Sequence, residues 1–181
     1  SPRASSAKRR SSNLTAAFEE LSRAISEGQG WTVSSDRPAA PRAGAPADAR
    51  TDILLVFDGG SRGNPGQGYG SFAYKGRVVR WPTAVSYPGL TTNNQAEYQS
   101  LIAGLRAVLF DCAALGLDPA DLSIEVRTDS QLVVNQLNGR WKIKNAQLRE
   151  RHDAARELLQ HFKRWRLAWH PRTESVRILG H

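Results

Sequence analysis

Three acidic residues stand where packing gives them no reason to be. Asp58 closes the most apolar run of the chain, Ile53-Leu54-Leu55-Val56-Phe57, and Asp129 closes a second run in which Leu122, Ile124 and Val126 alternate. Glu97 shares a helical stripe with Leu101 and Leu105, at i, i+4 and i+8, and so faces the packed side of its helix. A carboxylate facing a core costs several kcal/mol unless it is paired or bound to a metal. If the strands carrying Asp58 and Asp129 are parallel neighbours, both acids leave the sheet at the same edge. Glu97, one turn into the helix that crosses that edge, reaches the same point. With no His or Cys nearby in sequence, such a cluster is an oxygen-rich site, suited to Mg2+ or Mn2+ rather than zinc. These ions break phosphodiester bonds by activating water and stabilising the leaving oxygen, ideally as a pair about 3.5–4 Å apart. Singly, each acid has a plainer reading: Asp58 starts a turn, Asp129 caps a helix and Glu97 is an edge residue. Their coincidence favours the site.

The elements that must position these acids are legible in the patterning. The continuous apolar run at 53–57 reads as a central strand buried on both faces, ended by Asp58-Gly59-Gly60. Residues 69–74 and 77–87 are two further strands joined through Lys75-Gly76, with Pro82 marking a bend or an edge. Thr92-Asn93-Asn94-Gln95 has the spacing of a capping box and opens a helix. Its apolar face is Tyr98, Leu101, Ile102, Leu105, Val108 and Leu109, running to about Leu115 before Gly116. A fourth strand carries Leu122, Ile124 and Val126, and Asp129-Ser130-Gln131 opens a second helix through 132–137. A third helix spans 146–162, and a last short strand spans 166–169. Three strands, a helix, a strand, two helices and a strand make a mixed α/β sheet with helices packed on it.

Bulk properties set the outer limits. At 181 residues the chain is close to one domain with a tail. Its 40% hydrophobic and 23% charged residues are enough for a real core. No stretch approaches the roughly 20 apolar residues that span a bilayer, and the first residues are basic and polar rather than an apolar signal segment. A cytoplasmic protein with no membrane partner is expected, and the start at Ser1 rather than Met suggests processing. The single Cys112 excludes an internal disulfide or a cysteine-rich zinc site. A net charge of +8 and a pI near 10.2 favour polyanionic partners. Residues 1–50 differ from the rest. They hold the run Lys8-Arg9-Arg10, a Pro/Ala/Gly linker at 38–49, and Leu14, Phe18, Leu21 and Ile25 at helical spacing between Asn13 and Gly28. They read as a basic extension ahead of a catalytic domain at 51–181.

Three blocks carry a family resemblance: Phe57-Asp58-Gly59-Gly60-Ser61-Arg62-Gly63-Asn64-Pro65-Gly66, Thr92-Asn93-Asn94-Gln95-Ala96-Glu97-Tyr98, and Thr128-Asp129-Ser130-Gln131. In order and spacing they resemble the signature blocks of type 1 ribonuclease H, over about residues 52–181. The resemblance implies a ribonuclease H-like fold. That fold is a five-stranded mixed sheet, an antiparallel three-strand meander plus parallel strands, with helices on both faces. It also implies a metal-dependent endonuclease that cuts the RNA strand of an RNA–DNA hybrid to 5′-phosphate and 3′-hydroxyl ends, as a monomer and with no small-molecule cofactor. Asp58, Glu97 and Asp129 map onto three of the family's metal-binding carboxylates. One ion, held by Asp58 and a fourth ligand, would activate water, and a second, held by all three acids, would neutralise the leaving oxygen.

Other positions carry over from the same resemblance. Gly59, Ser61, Asn64, Asn93, Asn94 and Gln131 fall where the family contacts the hybrid, and short amides suit the reading of 2′-hydroxyls. Trp141, Lys142 and Lys144 look like a reduced version of its basic handle, able to grip a DNA strand by stacking and phosphate contact. A plain exposed helix junction explains that segment equally well. His170 matches a His that precedes the family's fourth carboxylate in a mobile loop and would shuttle protons or release product. The fourth carboxylate itself is missing. His181 stands nearest the expected spacing and would bias the site toward Mn2+, with Glu174 the weaker substitute. Two rival readings follow: a hybrid-binding module without catalysis, and another nuclease of the same fold.

Overall fold

The computed structural model describes residues 51–180. The readings made of residues 1–50 and of His181 lie outside the described residues. The elements in chain order are β1 (Ile53–Gly63), β2 (Gly66–Gly76), β3 (Arg80–Thr91), α1 (Asn93–Ala114), a 3-10 turn (Pro119–Asp121), β4 (Ser123–Thr128), α2 (Gln131–Leu137), α3 (Ala146–Leu159), β5 (Arg164–Trp169) and α4 (Arg172–Leu179). The strands form one five-stranded sheet in the order β3-β2-β1-β4-β5. Pairs β1–β2 and β2–β3 are antiparallel, and β1–β4 and β4–β5 are parallel. This is the expected mixed sheet, with the apolar strand at its centre.

That strand is apolar at successive positions because a different layer covers each face. Ile53, Leu55 and Phe57 join the larger core with Leu101, Leu105 and Val108 of α1 and Leu159 of α3. Leu54 and Val56 face the other way and pack with Ala73 against Ile178 and Leu179 of α4. Helices therefore lie on both faces. The capping box at the start of α1 is closed: Gln95 N–H donates to Thr92 Oγ1 at 3.2 Å, and Thr92 N–H donates to Gln95 Oε1 at 3.1 Å. Pro82 lies in β3, an edge strand of the sheet, where a missing N–H costs no ladder bond.

Several boundaries differ from the sequence reading: β2 begins at Gly66 rather than Tyr69, and β3 spans Arg80–Thr91 rather than 77–87. β1 does not stop at Phe57, because its antiparallel ladder with β2 continues to the Gly63–Gly66 pair after the parallel ladder with β4 ends at Val56–Arg127. Asp58 thus sits mid-strand, at the point where one neighbour departs. The third helix ends at Leu159 rather than Phe162, and β5 begins two residues early, at Arg164. Helix α4 was not anticipated at all. Among the described residues, no helix is long and apolar enough to cross a membrane.

Candidate active site

The register of β1 against β4 pairs Ile53 with Ile124 and Val56 with Arg127, and carried two residues further it sets Asp58 level with Asp129. The two acids therefore leave neighbouring parallel strands side by side. Glu97 arrives from α1, and Gly59 is what allows it to come so close. A Cβ on Gly59 would stand 2.5 Å from the carbonyl oxygen of Ala96 and 2.7 Å from the backbone nitrogen of Glu97. Only a residue with no side chain lets the first turn of the helix rest on the strand beside Asp58.

The alternatives for each acid can now be judged. Asp58 is 3% exposed and lies within a strand, so it does not start a turn. Asp129 does not cap α2, because the cap is Ser130, whose Oγ accepts from Val133 N–H at 3.3 Å. The same hydroxyl donates to Glu97 Oε2 at 2.6 Å, so one serine both starts α2 and fixes Glu97. Asp129 is instead fixed through its backbone, whose carbonyl accepts from Trp169 Nε1–H at 3.2 Å.

The acids share one electrostatic field. Burial pushes the Glu97 carboxyl up to about 7, and the charges of Asp58 and Asp129 push it the same way, against the Ser130 hydrogen bond and the Arg172 charge. Arg172, the first residue of α4, brings Nη1 to 3.3 Å from Asp129 Oδ2 and 3.8 Å from Asp58 Oδ2. Among the described residues no three His, Cys, Asp or Glu side chains stand as a ready-made metal-binding group. The donors that converge are all oxygens, burdened with negative charge and already drawing one cation. Oxygen donors of that charge suit a hard divalent ion.

A polar rim flanks the acids. Ser61 donates to Asn93 Oδ1 through its backbone N–H at 2.8 Å and its hydroxyl at 3.0 Å, and Asn93 N–H donates to Asn64 Oδ1 at 3.2 Å. The glycine-rich β1–β2 hairpin is thereby stapled to the start of α1. Asn94 and Gln131 line the same open cleft as Glu97 and Asp129, together with Trp169 and Arg172. Trp141, Lys142 and Lys144 lie on the exposed connection between α2 and α3, outside that lining, where the backbone N–H groups of Arg140 and Trp141 donate to the Asn135 carbonyl. Ile143 between them packs against the core.

His170 is placed differently from its expectation. It is 2% exposed, its N–H donates to the Thr128 carbonyl at 3.0 Å, and its Nε2 hydrogen-bonds Ser175 Oγ at 2.7 Å. Burial, aided by the Arg127 charge, holds its pKa down at about 4, so the ring is neutral. It anchors α4 to β5 from the interior rather than moving in an exposed loop. Glu174 is paired with Arg177 at 2.7 Å on the surface of α4. Sequence reasoning missed Ser130, Trp169 and Arg172 as parts of the site. Ser130 was readable as a cap, whereas nothing distinguishes Arg172 among 25 lysines and arginines.

The pattern of the family described as reverse transcriptase-like matches residues 71–177, a span that includes Glu97, Asp129 and Arg172. Ribonuclease HI of Halobacterium salinarum is 41% identical over 128 residues, covering 69% of this chain and 59% of that protein. A protein of Mycobacterium tuberculosis described as bifunctional is 38% identical over 126 residues, covering 68% of this chain and 32% of its own length. The chain thus spans about a third of the mycobacterial relative and under two thirds of the halobacterial one. Among solved structures, ribonuclease H1 from Halobacterium salinarum aligns at a TM-score of 0.59 with 38% identity, covering 69% of this chain and 89% of that one. A ribonuclease H1 solved in complex with an RNA/DNA hybrid aligns at a TM-score of 0.61 with 29% identity, again covering 69% and 89%.

Proposed function

The chain belongs to the reverse transcriptase-like family of ribonuclease H-like domains, and from that premise we propose that it hydrolyses the RNA strand of RNA–DNA hybrids, leaving 5′-phosphate and 3′-hydroxyl ends. The observation that carries this reading is that Glu97 and Asp129 line one cleft beside a polar rim while the buried Asp58, level with Asp129 on the neighbouring strand, shares their electrostatic field and the Arg172 guanidinium. A relative named ribonuclease HI, and a structural neighbour solved with a hybrid, support it.

Asp58, Glu97 and Asp129 would hold the ions, Mg2+ or Mn2+. Bound there, such ions lower the pKa of water and offset charge on the leaving oxygen. The protein's own groups do the rest. Asp58 stands on the central strand, level with Asp129, and would be the ligand common to both ions. Ser130 aims the Glu97 carboxylate before substrate arrives, and the Trp169 indole pins the backbone from which Asp129 projects. Ser61, Asn64 and Asn93, already locked to each other, offer a preorganised ledge for the minor groove, with Asn94 and Gln131 beside the acids. Lys142, Lys144 and Trp141 provide a basic, aromatic surface for the DNA strand, and the net charge of +8 favours the encounter. His181 is the proposed fourth ligand.

Cleavage of an end-labelled RNA–DNA hybrid in Mg2+ and in Mn2+ tests the proposal, with duplex RNA and duplex DNA as competitors. The parent should cut only the RNA strand, and Asp58→Asn should abolish turnover while hybrid binding persists. A normal rate in Asp58→Asn would remove the acids from the chemistry. The proximity of Arg172 to two of the acids favours a second reading, a module that binds hybrid without cutting it. Tight binding with no cleavage in either metal would select that reading.

A further inference from the structure

The acids that would take divalent ions already face a cation of the chain's own. Arg172 combines a fixed base with a free end. Its helix is anchored by the Pro171 carbonyl, which accepts from Glu174 N–H at 2.9 Å, by Ser175 bonded to buried His170, and by Ile178 and Leu179 packed on the back of β1. Its own side chain is 64% exposed, whereas those of Asp58 and Asp129 are 4% and 10% exposed. A long side chain with one side in water can leave without opening the core. The Arg172 guanidinium sets a positive charge beside both acids.

We propose that Arg172 is the resident counter-ion of this cluster and that a divalent ion binds by displacing its guanidinium from Asp58 and Asp129. The inference rests on the reading of the cluster as a divalent-ion nuclease centre and adds a regulatory consequence. Arg172 holds the acids together in the metal-free protein and raises the metal concentration at which the site fills. Each exposed ion pair of this kind is individually weak, and bridging two carboxylates roughly doubles the effect. The apparent metal affinity scales with the fraction of molecules in which the pair is open, a reduction of about 3–10-fold.

Equilibrium binding of Mn2+ to the full chain, followed by the electron paramagnetic resonance of free Mn2+, tests this without any turnover. Arg172→Gln should bind Mn2+ about 3–10-fold more tightly than the parent. Arg177→Gln removes the same charge from the same helix, but from a residue paired with Glu174, and should stay within about twofold of the parent. Metal-free Arg172→Gln should also melt below the parent, and saturating Mn2+ should close that gap. Unchanged or weaker binding in Arg172→Gln would overturn the displacement, as would equal tightening in Arg177→Gln, which would reduce the effect to a general field. A parent that binds no more Mn2+ than Asp58→Asn would instead sink the nuclease reading itself, and the role of Arg172 with it.

Discussion

Gly59→Ala puts the contact between β1 and α1 under a measurable load. The added methyl would stand 2.5 Å from Ala96 O, 2.6 Å from Ala96 C and 2.7 Å from Glu97 N, all backbone atoms that cannot rotate away. Ordinary contact distances of about 3.5 Å then require the first turn of α1 to retreat by roughly 1 Å. Overpacking of this kind costs about 1–3 kcal/mol. The same retreat carries Glu97 away from Asp58, and a displacement of about 1 Å at a catalytic group costs on the order of 10²-fold in rate. The assay pairs urea unfolding with single-turnover cleavage of a labelled hybrid. Gly104→Ala is the control, since its methyl would meet only side-chain atoms of Leu55 and Phe72, at 3.0 and 3.3 Å, farther along the same helix. It should lose some stability while turnover per folded molecule stays within about twofold. A Gly59→Ala protein that keeps both parental stability and parental rate would show that the close approach of helix and strand does not set the site.

Other perturbations follow from the same coordinates. Glu125 is fully buried between Arg127, at 2.5 Å, and Arg166, so Glu125→Ala should lower unfolding free energy by about 3–5 kcal/mol in urea titration, and a loss below about 1 kcal/mol would contradict the pairing. His170 is held neutral with a pKa of about 4, whereas the unfolded chain takes up the proton near 6.5. Between those values the unfolded state binds more protons, so stability falls as pH drops from about 6.5 to 4, by about 3 kcal/mol in full. In His170→Asn that part of the pH dependence should vanish from urea midpoints, and parallel curves for the two proteins would refute it. Thr92→Ala removes the cap of α1 and should cost about 1 kcal/mol, read as a lowered urea midpoint with the m-value unchanged.

How far the sequence reached depended on whether a signal was local. The capping box at Thr92, the apolar stripe of α1 and the doubly buried strand at 53–57 are spacing patterns, and the structure repeats them. Asp58 was read as a strand end because Asp-Gly-Gly is turn chemistry, yet glycine also permits a strand on which a helix rests. Helix α4 offered three apolar residues in eight, too few for a period, although Pro171 before it and Gly180 after it, at φ 86°, are helix boundary signals. The alternation of β4 hid the most buried carboxylate among the described residues. In Ser123-Ile124-Glu125-Val126-Arg127 the alternation places Glu125 on an outward face. The acid is nonetheless fully buried, paired with Arg127 on its own strand and with Arg166 of β5, 41 positions away.

The two acid clusters answer the same cost of burial in different ways. Glu125 is held by arginines on its own strand and the next, whose side chains are 16% and 12% exposed, so neither can leave without stranding a charge in the interior. Asp58 and Asp129 meet an arginine whose side chain is 64% exposed. A closed pair of the first kind specifies structure, because exchange is too costly to occur. A cluster whose counter-ion stands in water can trade that cation for another at smaller cost, which is what the proposed loading of divalent ions at Asp58 and Asp129 calls for. What separates the two sites is therefore the exposure of the cation beside the buried acids, a property that neither the number of acids nor their depth in the core reveals.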